Sequence, residues 1–227
     1  MPEEQSSEDP LAPIRLVRTD RMSDSIYIRA GKRSFDLLLS ILLVLLLLPF
    51  LLLFTFAIAI TSRGPVILCQ QRIGLCGKPF GFLKFRSMRL TMKMMDIDQH
   101  AAGLARHGML LKPDNDPRVT RVGRFLRKHS LDELPQLINI IKGEMSFVGP
   151  RPLLPFMVEP YPEENRARST VLPGLTGFWQ IYARSESNSL LQMIDYDRQY
   201  IESISLRTDL RVLMATLPNI LSGKGAK

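Results

Sequence analysis

Leu37–Ile60 reads LLLSILLVLLLLPFLLLFTFAIAI and holds no charged residue, with Ser40 and Thr55 as its polar members. A helix needs about 20 apolar residues to cross the roughly 30 Å hydrocarbon layer of a bilayer. This stretch therefore decides the class of the chain: it is membrane-associated. Pro49 stands near the middle. Proline removes a backbone donor and clashes with the preceding turn, so it kinks or breaks a helix. Each flanking arm has about 12 residues and rises about 18 Å, little more than half the hydrocarbon thickness. Two topologies follow, a kinked single span or a helix that breaks and returns to the side it entered from. Arg29, Lys32 and Arg33 precede the run, and Arg63 and Arg72 follow it. Basic residues concentrate on the cytoplasmic side, so basic flanks at both ends favour the return. Proline-containing helices also span, and from the residues alone both topologies stand.

The rest of the chain is ordinary in bulk. Its 227 residues suffice for one domain with a real core. The net charge of +8 implies an acidic partner, whether nucleic acid, an anionic membrane or a phosphorylated substrate; the apolar run selects the membrane. Residues 1–20 are rich in Glu, Ser, Asp and Pro without periodicity and read as loosely attached. They are no secretory signal, because the apolar run begins too late and no small-residue cleavage site follows it. Cys69 and Cys76 give no disulfide framework. With His100, His107 and His129 they also lack the paired spacing of a zinc site, and read as reduced thiols.

Beyond the run, Val66–Gln71 and Phe80–Phe85 read as strands of a β-hairpin around the turn-rich Ile73–Lys78. Residues 87–111 read as a helix with a Met88, Met92, Met95 stripe. Pro113–Pro117 reads as a loop, and 119–128 carries Arg121, Arg124, Arg127 and Lys128. Pro135–Lys142 reads as a helix, with proline in its first turn and Gly143 suited to its C-cap. A proline-rich stretch covers Pro150–Pro162, and two helices close the chain, about Leu190–Ile201 and Leu206–Leu221.

The densest chemical signal is RKHSLDELP, Arg127–Pro135. One reading is structural: Ser130 and Glu133 match the capping box S-x-x-E. The other is chemical. Free N–H groups at a helix entry suit phosphate. Arg127 and Lys128 would keep Asp132 ionised and bind phosphate, and an ionised aspartate can attack phosphorus to form an acyl phosphate. In Gly149-Pro150-Arg151-Pro152, two prolines fix the backbone around one guanidinium, which suits bidentate phosphate contacts. Lys84-Phe85-Arg86-Ser87-Met88 is either a solvated edge or the lining of an anionic site. Pro173–Gln180 combines glycine turns with the lone Trp179, for which core packing is the expected role, and Arg184 follows. There is no G-x-x-x-x-G-K-[ST] loop and no strand-linked G-x-G-x-x-G, which argues against P-loop hydrolysis.

Lys32-Arg33-Ser34-Phe35-Asp36, Lys84–Met88, Ser130–Leu137, Lys142–Ser146, Gly149–Pro152 and Pro173–Gly177 together resemble the bacterial sugar transferase family, the monotopic polyprenyl-phosphate phosphoglycosyl transferases. Their order and spacing cover residues 30–221. The resemblance implies an α+β, mostly helical fold, with an N-terminal re-entrant helix broken at Pro49 and a small cytosolic catalytic domain carrying the β-hairpin. The chain is expected to divide into a loosely attached segment 1–30, a membrane segment 31–62 and a catalytic domain 63–227, the resemblance bearing on the last two. The resemblance implies transfer of a sugar-1-phosphate from a UDP-sugar to polyprenyl (undecaprenyl) phosphate, releasing UMP and initiating exopolysaccharide or glycoconjugate synthesis at the cytoplasmic face of a bacterial inner membrane. By the same resemblance Asp132 attacks the β-phosphate and holds a sugar-phosphoryl intermediate, Mg2+ binds near Asp132 and Glu133, and Arg127 and Arg151, with Lys84 and Arg86, bind phosphate. Gln180 and Arg184 are expected on the nucleotide or sugar side. One position departs: Leu48 precedes Pro49, where family members often carry a serine whose hydroxyl could satisfy backbone groups freed by the break. The region ahead of the run has no multi-span segment of the kind larger members carry, so a minimal form is expected. The competing class is a membrane-tethered basic protein that binds without turnover, and whose binding weakens steeply with salt.

Overall fold

The computed structural model describes residues 27, 31–89, 101–110, 116–183 and 189–222. The expectations for Met92, Met95, Arg184, residues 113–115 and residues 1–30 other than Tyr27 lie outside them.

Helix α1 covers Lys32–Thr61 and continues through Pro49, so the secondary structure is not interrupted where a break is expected. Proline costs one backbone hydrogen bond and can bend a helix without ending it. Among the described residues, α1 is the one helix long and apolar enough to cross a membrane. Leu38, Leu42, Leu45, Leu46, Leu53 and Phe56 of this helix are exposed. Its other side packs on the domain twice. Leu39, Leu43 and Val44 meet the cluster of Leu137, Ile140 and Phe147, and Leu51, Phe54 and Ile58 meet Phe85 and Leu126.

Polar bonds fasten both ends of α1. At its start, Lys32 Nζ reaches Asp209 (2.5 Å) and the carbonyl of Val148 (3.0 Å). Arg33 donates to the carbonyls of Ile140 and Ile141 at 2.6 and 2.8 Å, and Asp36 accepts from the Phe147 amide at 3.0 Å. At its end, Arg86 donates to the Ser62 hydroxyl and carbonyl and to the Pro65 carbonyl.

Strands β1 (Ile67–Ile73) and β2 (Pro79–Phe85) form the expected antiparallel hairpin, with Leu68 opposite Lys84 and Arg72 opposite Phe80. The expected helix over 87–111 is replaced at its start by extended chain. Met88 bridges Val119, and the Arg89 amide donates to the Arg118 carbonyl. Residues 101–106 are helical (α2). Helix α3 (Arg121–Lys128) is capped by the Thr120 side chain, which accepts from the Gly123 amide.

A single 3-10 turn, Leu131–Glu133, leads into α4 (Gln136–Lys142). Helix α4 ends as the sequence indicates, at Gly143 with φ 81°, the left-handed conformation that suits glycine. Asn139 of α4 is fully buried and grips the middle of β2, accepting from the Leu83 amide at 3.1 Å and donating to the Gly81 carbonyl at 2.7 Å. That bond fixes the strand next to Lys84.

A second, parallel two-stranded sheet pairs β3 (Ser146–Val148) with β4 (Gly174–Thr176), an element without a signal in the sequence. The chains approach so closely here that a Cβ on Gly174 would lie 2.1 Å from the Gly149 nitrogen. Between these strands the proline-rich stretch folds into α5 (Pro155–Val158) and α6 (Pro162–Arg168). The chain closes with α7 (Phe178–Tyr182), α8 (Leu190–Glu202) and α9 (Leu206–Ser222). Trp179 packs beside Leu190, Met193 and Ile194, the core role expected of it.

Candidate active site

The hinge between α3 and α4 is conformationally unusual. Ser130 adopts φ 53°, the left-handed region that a non-glycine residue enters at a cost of about 1–3 kcal/mol. Its side chain makes no cap bond, so the capping box suggested by S-x-x-E does not form. The backbone does that work instead, the Glu133 amide donating to the Ser130 carbonyl at 3.2 Å. This releases the Glu133 side chain to meet Nη2 of Arg151 at 3.2 Å. Asp132 and Glu133, both half-buried, thus project from one short turn beside the end of β2.

Cations surround this turn. Lys84, half-buried on β2, lies within the field of Asp132, Glu133, Arg72 and Arg151. Burial, then Arg72, push its pKa below the ordinary lysine value, while Asp132 and Glu133 oppose that shift. Arg72 is a member of the site that the sequence reading did not assign. Its guanidinium lies 5.0 Å from the Phe82 ring centre and donates to the Pro152 carbonyl at 2.9 Å. Burial, and then Arg151, work against its charge, and Glu133 supports it; guanidinium basicity is high enough to keep the group cationic. Its one available signal was its place in the strand, two residues after Gln70 on the same face.

Arg86 does not join this group. It is 1% exposed, and its guanidinium is committed to Ser62 and Pro65. Strand β2 ends at Phe85, so the alternation that would put Arg86 on the face of Lys84 stops one residue short, and the side chain turns inward. The phosphate-binding role expected for Arg86 is therefore replaced by a structural one at the end of α1. Arg127, in the last turn of α3, is half-buried, and its charge contributes to holding the Asp116 carboxyl below its ordinary range, after the larger effect of the Arg118 hydrogen bond. Gln180 sits on α7 with both amide atoms buried and without a hydrogen-bond partner among the described residues. It lies beside Gly177, which packs on the Gly149 carbonyl.

The loop carrying Arg151 is built to hold one shape. Prolines 150 and 152 offer no N–H. The four carbonyls from Pro150 to Leu153 are each taken by a different donor: the Gly174 amide (2.8 Å), Arg168 (2.7 Å), Arg72 (2.9 Å) and the Ile73 amide (2.9 Å). A guanidinium on such a loop meets an anion with little ordering cost.

No group of three or more His, Cys, Asp or Glu side chains that could hold a metal is found among the described residues. The two adjacent carboxylates fit a different arrangement. Mg2+ is commonly held by one or two carboxylates, with substrate phosphates and water completing the shell. Cys69 and Cys76 are free and exposed.

The family model described as "Bacterial sugar transferase" matches residues 27–223. The chain is 38% identical over 224 residues to the undecaprenyl-phosphate glucose phosphotransferase of Komagataeibacter xylinus, covering 94% of this chain and 40% of that protein. It is 40% identical over 201 residues to the exopolysaccharide production protein ExoY of Rhizobium meliloti, covering 86% of this chain and 88% of that one. It is 36% identical over 206 residues to the undecaprenyl-phosphate galactose phosphotransferase of Salmonella typhimurium, covering 86% and 41%. The chain thus spans about two-fifths of the length of several curated relatives it matches, and most of the length of others.

Proposed function

Because the chain belongs to the bacterial sugar transferase family, we propose that it moves a sugar-1-phosphate from a UDP-sugar to undecaprenyl phosphate, giving undecaprenyl-diphosphate sugar and UMP. The observation that carries this reading is the pair of carboxylates on the strained Ser130–Glu133 turn, surrounded by Lys84, Arg72 and Arg151. A purely basic binding surface has no use for two acidic groups at its centre.

In this reading the Asp132 carboxylate attacks the β-phosphorus, and the bond to the UMP oxygen breaks. The sugar-phosphoryl group stays on Asp132 as an acyl phosphate. The phosphate oxygen of the lipid acceptor then attacks the same phosphorus and frees the carboxylate. Two displacements give ping-pong kinetics. Lys84 and Arg151 bind the diphosphate oxygens and stabilise charge as it builds on them. Glu133 orients Arg151 through its 3.2 Å contact. Mg2+, when bound, would be held by Asp132 and Glu133 and would neutralise charge on the departing UMP. In this reading Gln180 serves the nucleotide or sugar side; what supports it is that its amide atoms are buried without a partner among the described residues.

The test is a product assay with the purified chain, undecaprenyl phosphate and UDP-glucose, UDP-galactose or UDP-N-acetylhexosamines. UMP and a lipid-linked sugar are expected from at least one donor. Release of UDP instead, or no product from any donor, overturns the reading.

We also place the reaction at the cytoplasmic face of the inner membrane, with α1 entering and leaving the bilayer from that side, bent at Pro49. What supports this is that one domain holds both ends of α1, through Lys32, Arg33 and Asp36 at one end and Ser62 at the other. A straight helix of 30 residues would separate those ends by about 45 Å, more than the hydrocarbon layer. Helix α9 adds an exposed apolar stripe, Leu206, Leu210, Met214, Leu217 and Leu221, flanked by Arg207 and Arg211, which suits a helix lying on the bilayer surface. In a chain with Cys69 and Cys76 changed to serine, Ser25→Cys and Arg63→Cys should both resist a membrane-impermeant maleimide in intact cells. Labelling at one of the two positions means a kinked span instead.

A further inference from the structure

Four consecutive carbonyls of the 150–153 loop are held by fixed donors, and one of those donors differs in kind. Arg168, which takes the Arg151 carbonyl at 2.7 Å, is 6% exposed and paired with Asp197, itself fully buried. The ion pair has Nε and Nη2 of Arg168 at 2.8 and 2.7 Å from Oδ2 of Asp197, while Nη1 donates to Asn165 at 2.8 Å. All three nitrogens of the guanidinium are engaged. Asp197 also lies within the field of the Arg151 charge. The residue that faces Glu133 is therefore gripped at its backbone by a pair contributed from α6 and α8, 17 and 29 positions along the chain from their contacts.

Burying an ion pair costs solvation that packed hydrocarbon would avoid, and its net contribution to stability is small or negative. A pair of this kind does, however, fix direction. Its fork allows one placement of the Arg151 carbonyl, and hence of the Cα from which that side chain departs. We propose that Arg168 and Asp197 are positioning residues for the sugar-phosphate transfer proposed above, acting through the orientation of Arg151. Neither touches substrate. Arg168 reaches the reaction through a main-chain carbonyl, and Asp197 reaches it through Arg168. Misplacing a group by about 1 Å can cost about 100-fold in rate, so the pair is sensitive to loss of either half of the fork.

The test is a double-variant cycle on the full chain, reading UMP release and the thermal midpoint together. Arg168→Lys keeps a cation for Asp197 but cannot serve Asp197 and the Arg151 carbonyl at once; Asp197→Asn keeps the shape and removes the charge. Each should lower kcat/KM for the UDP-sugar by about 10- to 100-fold. Adding either change to Arg151→Ala should cost less than about twofold more, because coupled residues do not lose independently. Losses that multiply in the double variant overturn the proposal. So does disappearance of folded protein in both single variants, since the pair would then hold the fold rather than the side chain. A wild-type chain without UMP release, or an Arg151→Ala variant with full activity, would instead strike the functional reading on which this inference rests.

Discussion

Asp132→Asn should abolish UMP release, lowering kcat by about a thousandfold or more, which is at least about 4 kcal/mol of barrier. The substitution keeps the size of the side chain and its place on the Leu131–Glu133 turn, but an amide cannot form the acyl phosphate. It should leave the thermal midpoint and membrane fraction of the protein unchanged, because the turn is held by backbone bonds from Glu133 to Ser130 and from Leu134 to Leu131. A rapid-mixing experiment without lipid acceptor sharpens the result. The wild type should release about one UMP per enzyme and stop, and the variant none. Persistent turnover in the variant would remove the covalent route and leave direct attack of the lipid phosphate on the donor. Glu133→Gln tests the neighbouring role separately, since its expected defect passes through Arg151 at 3.2 Å.

Asp209→Ala should be the most damaging change to stability, by about 3–5 kcal/mol. Asp209 is 1% exposed and accepts from three donors at once, Tyr27 and Lys32 at 2.5 Å and Tyr200 at 2.8 Å. Burial, with the carboxylate next to them, pushes both tyrosine hydroxyls above their ordinary range, so they remain protonated donors. Removing the acceptor leaves the Lys32 charge without its counter-ion and takes the carboxylate from Tyr27 where water is scarce, which is the expensive case, while Tyr200 keeps the Val148 carbonyl at 2.9 Å. Exchanging both partners of the ion pair is the informative control. Lys32→Met with Asp209→Leu removes the charge as well as its partner, and should recover at least half of the loss in a thermal-melt measurement. A single variant that melts within about 1 kcal/mol of the wild type would mean the network contributes little.

Much of this was legible in the residues where local chemistry decides. The hairpin follows from alternation around a glycine-rich turn, and the helix from Gln136 to Lys142 from proline at one end and Gly143 at the other. The adjacency of Asp132 to Glu133 is written in the chain. What stayed hidden depends on contacts between distant segments. The Ser130–Glu133 pattern reads as a capping box, and nothing in it announces the left-handed serine that cancels the cap. Arg86 looked equivalent to Lys84 although the strand reads as stopping at Phe85, because no local pattern announces that Ser62 and Pro65, more than twenty positions back, take its guanidinium. Arg72 belongs with the site through Pro152, 80 positions away, and Lys32-Arg33-Ser34-Phe35-Asp36 read as a basic flank, although Lys32, Arg33 and Asp36 bolt the helix to the domain.

The two fastenings of α1 turn its length into a matter of phase. Lys32 must meet Asp209 while Ser62, thirty positions on, meets Arg86. One residue inserted between them would twist the two ends about 100° out of step, so no shuffling of apolar letters by deletion or addition is neutral here. Proteins moored by a floppy leash can lengthen it at will; this one carries its greasy segment as a keyed shaft. If Asp132 reacts at the bilayer surface as proposed, its height above the lipid follows from the count of residues in one helix, and drift in that count is expected to cost chemistry before it costs attachment.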